Sequence, residues 1–114
     1  MKSTLLIGNR EIEMAANAAS PFIYKQLFHE DLLLQIGRMQ DNQPDVAVFT
    51  QLAYVMAKQG EGLTMKELTS LTKDDFYKWL EDFEPMDFAT AMGDITSLYF
   101  GQTKGLSVPK KPGE

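Results

Sequence analysis

The sequence contains no cysteine, a single histidine and no long apolar run. Without cysteine there are no disulfides, no thiolate zinc sites and no cysteine nucleophile, as is common in proteins of a reducing compartment. A zinc site needs three or four ligands, which one histidine cannot supply. Apolar runs such as residues 32–34 are too short to span a membrane. Neither a phosphate-binding loop nor a dinucleotide fingerprint is present.

Basic residues are also scarce, with 11 Lys and Arg against 16 Asp and Glu, which gives a net charge of -5 and a pI near 4.8. A phosphate backbone or an anionic membrane attracts a basic surface, so neither nucleic acid nor membrane is an expected partner. No secretory signal follows the first residues, and we expect a soluble intracellular protein.

What is present predicts one mainly helical α+β domain over residues 1–100 and a flexible basic tail over 101–114. A length of 114 residues with 44% hydrophobic content supports one modest core. Two short apolar or alternating runs, residues 4–7 and 10–14, flank the turn residues Gly8 and Asn9, which predicts an N-terminal hairpin. A compact bundle of four or five helices is expected to follow.

Capping residues and apolar spacing mark the first helices. Ser20 followed by Pro21 is a helix start with serine as N-cap. The helix either continues or restarts at residues 30–31, and Gly37 together with the polar stretch 40–44 is expected to break it. Asp45 is the expected N-cap of a helix over 46–59, which is apolar nearly all round. Such a helix is either the central element or part of a subunit interface.

Later segments predict three more helices. Residues 63–71 form a short helix with Met65 and Leu68 inward, and Thr72 caps the next. Its apolar stripe contains Phe76, Trp79 or Leu80, and Phe83. The proline of the Glu84-Pro85 pair interrupts the pattern, so the last helix begins at about residue 85 or 86 and ends at Gly101.

The acidic excess lies entirely in residues 73–94, which contain seven acids and two lysines. Such a cluster is compatible with a hard-cation site or an acid–base pair, and hence with a hydrolase or a metal-dependent enzyme. No EF-hand pattern occurs, and Asp74, Asp75 and Asp87 are expected in the first turns of helices, where the dipole favours negative charge. We therefore interpret this segment as a solvated acidic face.

A catalytic triad of Ser20, His29 and Asp31 is formally conceivable, but no nucleophile elbow accompanies these residues. The residues predict a surface histidine at a helix junction instead. We expect no catalytic residue, no cofactor and no metal, and therefore no enzyme.

Aromatic residues concentrate beside the acids, with seven of the twelve between positions 76 and 100. Most of them belong in a core, but aromatic side chains rimmed by acids also suit a protein partner. The candidate partner-binding residues are Tyr77, Trp79, Glu81, Asp82, Phe83, Asp87 and Phe100.

The order of these segments resembles the tail assembly chaperones of long-tailed phages and prophages of Gram-positive bacteria. The similarity covers most of the chain and consists of patterned aromatic and apolar positions. The segments concerned are residues 8–12 (GNREI), 19–21, 24–28 (YKQLF), 52–57 (LAYVMA), 76–80 (FYKWL), 95–101 and the Pro-Lys-Lys stretch at 109–111.

This resemblance implies a non-enzymatic role in virion morphogenesis. It implies association with tape-measure and tail-tube proteins in the cytoplasm of the bacterial host, absence from the mature virion, and a homo-oligomeric state. It supplies no catalytic residues. The alternative is a cellular adaptor or regulatory module that presents the same acidic aromatic face to a host protein.

Overall fold

The structure is a computed structural model that describes residues 2–41 and 45–102, without the side chains of Lys2, 38–41 and Gln102. In these ranges two antiparallel strands, β1 (Lys2–Ile7) and β2 (Arg10–Ala15), precede six helices, so the predicted mainly helical α+β class is confirmed. The helices are α1 (Ser20–Phe28), α2 (Leu32–Asp41), α3 (Val46–Gly60), α4 (Met65–Leu68), α5 (Lys73–Leu80) and α6 (Asp87–Gln102). The predicted tail lies outside the described residues from position 103 onward.

The hairpin forms where the sequence predicts it. Gly8 adopts a φ of 62°, which L side chains rarely adopt, and it forms a two-residue turn with Asn9. Ile7 lies opposite Arg10, and Ser3 lies opposite Met14. Residues directly opposite each other point to the same face. Because Ile7 and Met14 are fully buried, that face packs on the helices.

Helix α3 is the central element, which is one of the two positions that its apolar composition allows. The Asp45 side chain caps it by accepting a hydrogen bond from the Ala47 N–H at 2.9 Å. The helix packs against β2, α1, α5 and α6, and ten of its fifteen residues are buried. Burial on nearly every side explains why only two of the residues between positions 46 and 57 are polar.

The predicted N-cap of α1 and the predicted break at Gly37 in α2 are wrong. Ser20 is the first helical residue and not the N-cap, which is Ala19. The Ser20 hydroxyl instead donates to Gln59 Oε1 at 2.6 Å, so tertiary packing occupies the group that would cap the helix. Gly37 lies inside α2 and does not break it, since a single glycine costs a helix only about 1 kcal/mol. The helix ends at Asp41, within the polar stretch 40–44. The chain does restart after α1, because His29 adopts a left-handed φ of 61°.

Capping boxes define the next two helices. Thr64 caps α4 with Glu67, and Thr72 caps α5 with Asp75, as predicted for Thr72. Helix α4 has only four residues, so it presents one side chain, Leu68, to the core. The predicted inward position of Met65 is wrong, since its side chain is 49% exposed.

Helix α6 closes the core with the apolar spacing that the sequence shows. Phe88, Ala91, Ile95 and Tyr99 are buried at intervals of three or four residues. Gly101 lies within the helix, one residue before its last position, so the predicted stop is slightly early. In the described part of the chain, no helix combines the length and the apolar character needed to cross a membrane.

Candidate functional site

Three aromatic rings form a cluster where the chain turns from α5 into α6. The centroids of Trp79 and Phe83 are 4.8 Å apart, those of Phe83 and Phe88 4.9 Å, and those of Trp79 and Phe88 5.5 Å. Phe88 is buried, whereas Trp79 and Phe83 are half-buried. Tilted ring pairs at these distances each contribute about 0.5–1.5 kcal/mol beyond area burial. The rings of Trp79 and Phe83 are therefore partly accessible and are held in place by each other and by the buried Phe88.

The hairpin contributes a cation to this cluster. The Arg10 guanidinium lies 5.7 Å from the centroid of the Phe83 ring, and its Nη2 lies 3.8 Å from Asp82 Oδ2. More than half of each charged side chain is exposed, so the ion pair contributes about 0–1 kcal/mol. The contact links the first strands to the α5–α6 turn and leaves both charges accessible. We call Arg10, Trp79, Asp82, Phe83 and Asp87 the aromatic corner.

A cleft of about 320 Å³ separates the hairpin turn from the α5–α6 turn. Asp82, Glu84 and Asp87 line it from one side, and Arg10 is the only cation among its lining residues. Its walls are therefore predominantly acidic. A basic segment of a partner would find charge complementarity here.

Asp87 has a structural role in the same cleft. Its Oδ2 accepts a hydrogen bond from the Glu84 N–H at 2.8 Å, which satisfies a backbone group at the start of α6. A Cβ added to Gly8 would overlap this carboxylate, so the hairpin turn approaches α6 closely at this point. The glycine that the turn conformation favours also makes room for Asp87.

Three of the sequence-predicted partner-binding residues lie outside the corner. Tyr77 is 58% exposed and lines a groove of about 370 Å³ between α3 and α5, together with Val46 and Leu80. Phe100 packs edge-on against Tyr99, thirteen residues after Asp87, which is roughly 20 Å along a helix. Glu81 is exposed at the end of α5. The structure thus brings together Trp79, Asp82, Phe83 and Asp87 but not the whole set.

Arg10 is the corner residue that the sequence interpretation missed. It follows the hairpin turn, and the alternation of side chains along β2 places it on the same face as Ile12 and Met14. A charged residue on the face that packs against helices indicates a specific partner. That alternation was the available signal, but it could not identify a partner 72 residues away.

The acidic face is solvated, as predicted. Asp74, Asp75, Glu81 and Asp94 are all exposed. The pKa of Asp75 is lowered because the Thr72 backbone N–H and hydroxyl both bond to its carboxylate. Asp75 therefore serves the α5 capping box. Among the described residues, no group of three or more His, Cys, Asp and Glu side chains could hold a metal ion.

The residues of the conceivable triad are engaged in local structure. Ser20 is fully buried, donates to Gln59 and accepts from the Asn17 N–H. Asp31 Oδ1 accepts from the Leu34 N–H at the start of α2. His29 is exposed at the α1–α2 junction, as predicted.

No protein-family model matches the chain, and no curated protein or solved structure is significantly similar to it.

Proposed function

We propose that the chain is a non-enzymatic tail assembly chaperone of a long-tailed phage or prophage, and that it binds tape-measure and tail-tube proteins through the aromatic corner. The resemblance in sequence supplies the identity of the partners, and the corner supplies a surface suited to them. In this proposal the protein acts in the cytoplasm of the bacterial host, self-associates, and is not retained in the finished virion.

The observation that carries the proposal is the half-burial of Trp79 and Phe83 on a rigid base. Tryptophan is among the residues most enriched at binding hot spots, and a ring held by its neighbours loses little entropy on binding. Asp82 and Asp87 beside the rings form a polar rim that favours a basic partner surface and speeds encounter.

The size and chemistry of the corner also suit a chaperone. A partner that is later released should be held by a few anchors and a polar rim, because permanent interfaces are larger and more apolar. Two half-buried rings flanked by carboxylates meet that description. The contact should therefore weaken at high salt.

The test is a pull-down in low salt with purified tail-tube and tape-measure proteins of the same phage or prophage. We expect the chain to retain at least one of them, and Phe83→Ala to reduce retention about tenfold or more, as for loss of a hot spot. Phe22→Ala is the matched control, because Phe22 is 74% exposed on α1, outside the corner. It should leave retention unchanged.

Three results contradict the proposal. The first is retention of neither protein by the wild type. The second is an equal loss with Phe22→Ala and Phe83→Ala, which would show that the corner is not the site. The third is a defined host protein bound through the corner in place of the tail proteins, which would favour the cellular adaptor.

A further inference from the structure

The two edges of the hairpin differ in their backbone hydrogen bonds. Ile7 and Arg10 flank a two-residue turn, which makes them a hydrogen-bonded pair. Such pairs alternate along antiparallel strands, so Leu5 also bonds across to β2, whereas the N–H and C=O groups of Thr4 and Leu6 point away from it. These outward groups form the free edge of β1.

The opposite edge, that of β2, is covered by α3. By the same alternation, the carbonyl of Glu13 points away from β1. A Cβ added to Gly60 would overlap that carbonyl, so the end of α3 lies directly against it. Another strand cannot pair with β2 at this position.

Helix α6 packs against β1, but in the described part of the chain no backbone hydrogen bond occupies the outer edge of this strand. Neither Thr4 nor Leu6 makes a backbone hydrogen bond outside the hairpin there. Residues 3–7 also contain no charged residue and no proline, which proteins commonly use to protect an edge strand. The strand therefore offers an open template for pairing.

A groove beside this edge has a definite chemistry. Leu6 lines it from β1, and Met86, Asp87 and Asp94 line it from α6, enclosing about 220 Å³. Leu6 and Met86 are 60% and 67% exposed. No basic residue lines the groove, so it is apolar at its entrance and acidic along its helical wall.

We propose that β1 accepts an extended segment of a partner protein as a third strand, and that the side chains of this segment alternate between apolar and basic. The exposed N–H and C=O groups of Thr4 and Leu6 provide the pairing. Leu6 and Met86 receive the apolar side chains, and Asp87 and Asp94 receive the basic ones. Asp87 belongs both to this groove and to the aromatic corner, but the pairing itself depends on the backbone of Thr4 and Leu6, which lie outside the corner.

The first experiment uses the full chain, labelled with ¹⁵N, and an acetylated, amidated peptide of three Lys-Val repeats. Addition of the peptide to about 1 mM, the range of weak peptide affinities, should shift the amide signals of Thr4 and Leu6. The matched probe is the same peptide N-methylated at every residue. It keeps the charge and side chains but cannot pair along that edge, so it should bind at least about tenfold more weakly.

The second experiment uses Thr4→Pro, which removes an outward N–H without removing a bond to β2. We expect at least about tenfold weaker peptide binding and an unchanged far-ultraviolet spectrum. Tyr77→Ala, in the other groove, should bind the peptide normally. If Thr4→Pro fails to fold, the comparison of the two peptides on the wild type decides alone.

Three outcomes overturn the proposal. One is the absence of shifts at Thr4 and Leu6, and another is equal binding of the methylated and unmethylated peptides. The third is self-association of the chain that Thr4→Pro abolishes, which would make a second copy the occupant of the edge.

Discussion

Helices α3 and α5 contact each other and both carry aromatic residues, but they bury them to different extents. Ten of the fifteen residues of α3 are buried, whereas Phe76 is the only buried residue among the eight of α5. The two helices meet where Tyr54 lies 5.2 Å from both Phe76 and Trp79, measured between ring centroids. The same residue type stabilises the fold in α3 and remains accessible at the surface of α5.

Shortening a buried side chain of α3 should have the largest effect on stability, because α3 is the more buried of the two helices. Leu52 is 1% exposed, so Leu52→Ala should lower the free energy of unfolding by about 2–5 kcal/mol through lost burial and the cavity left behind. Leu34→Ala on the exposed face of α2 is the matched control and should change it by less than about 0.5 kcal/mol. Equal losses in urea denaturation would contradict the central position of α3.

A smaller effect is expected where α3 ends against β2. Gly60→Ala introduces a Cβ that overlaps the Glu13 backbone, and backbone cannot move aside as a flexible side chain can. We expect a loss of about 1–3 kcal/mol in thermal or urea unfolding. Gly93→Ala is the matched control inside α6, where a Cβ meets no atom within 4 Å. It should stabilise the protein by about 0.5–1 kcal/mol. A neutral Gly60→Ala would refute the close approach.

Helix α5 depends on its cap more than on burial. Thr72→Ala removes the hydroxyl that accepts from the Asp75 N–H and should lower the free energy of unfolding by about 1 kcal/mol. Thr69→Ala is the control, because the Thr69 hydroxyl accepts no capping hydrogen bond and donates to the Met65 carbonyl instead. If the two variants lose equal free energy of unfolding, the capping box does not stabilise α5.

The same cap makes α5 sensitive to acid. The pKa of Asp75 is lowered in the folded protein from its ordinary value of 3.8, because Thr72 donates to its carboxylate. A lowered pKa means that the unfolded chain binds the proton first, so this stabilisation is present above pH 3.8 and lost as the pH falls through the folded pKa. The difference between wild type and Thr72→Ala should shrink over that range in an acid titration. A constant difference would contradict the assignment.

The smallest expected effects distinguish two buried tyrosines. The Tyr24 hydroxyl donates to Gln51 Oε1 at 2.6 Å, whereas the Tyr54 hydroxyl is buried with no hydrogen-bond partner among the described residues. Tyr24→Phe should cost about 0.5–1.5 kcal/mol, and Tyr54→Phe should be neutral or slightly stabilising. Equal losses in urea denaturation would contradict the hydrogen-bond assignment.

Both tyrosines also make the fold sensitive to alkali. Burial raises the pKa of Tyr24 and of Tyr54 from 10.0 to about 12. The unfolded chain therefore loses these protons first, and stability falls as the pH rises from about 10 to 12. Each phenylalanine variant should lessen that fall in urea denaturation at increasing pH. A fall of unchanged size in both variants would exclude these tyrosines as its source.

Local signals explain why the hairpin and α3 could be predicted. The turn at Gly8 and Asn9 and the cap at Asp45 act within a few residues, and the apolar composition of α3 limits it to a central position or a subunit interface. Gly37 and Ser20 misled the prediction because tertiary contacts and helix tolerance outweighed their local preferences.

The sequence predicts only those members of the aromatic corner that are close to one another along the chain. Trp79 and Phe83 are neighbours on one stretch of chain, so spacing alone brings them together. Arg10 joins them only after the hairpin packs on the helices, and Phe100 leaves the group because α6 runs about 20 Å away from the corner. The position of Arg10 depends on long-range packing that a single sequence does not encode locally, whereas the separation of Phe100 follows from the length of the predicted helix.

The aromatic corner can be tested directly, because Trp79 is the only tryptophan of the chain. Its emission should change in a saturable way when tail-tube or tape-measure protein is added to the wild type, to the same extent with Phe22→Ala, and only at about tenfold higher concentration with Phe83→Ala. Binding that leaves Trp79 emission unchanged, or no binding of either protein, would contradict the account.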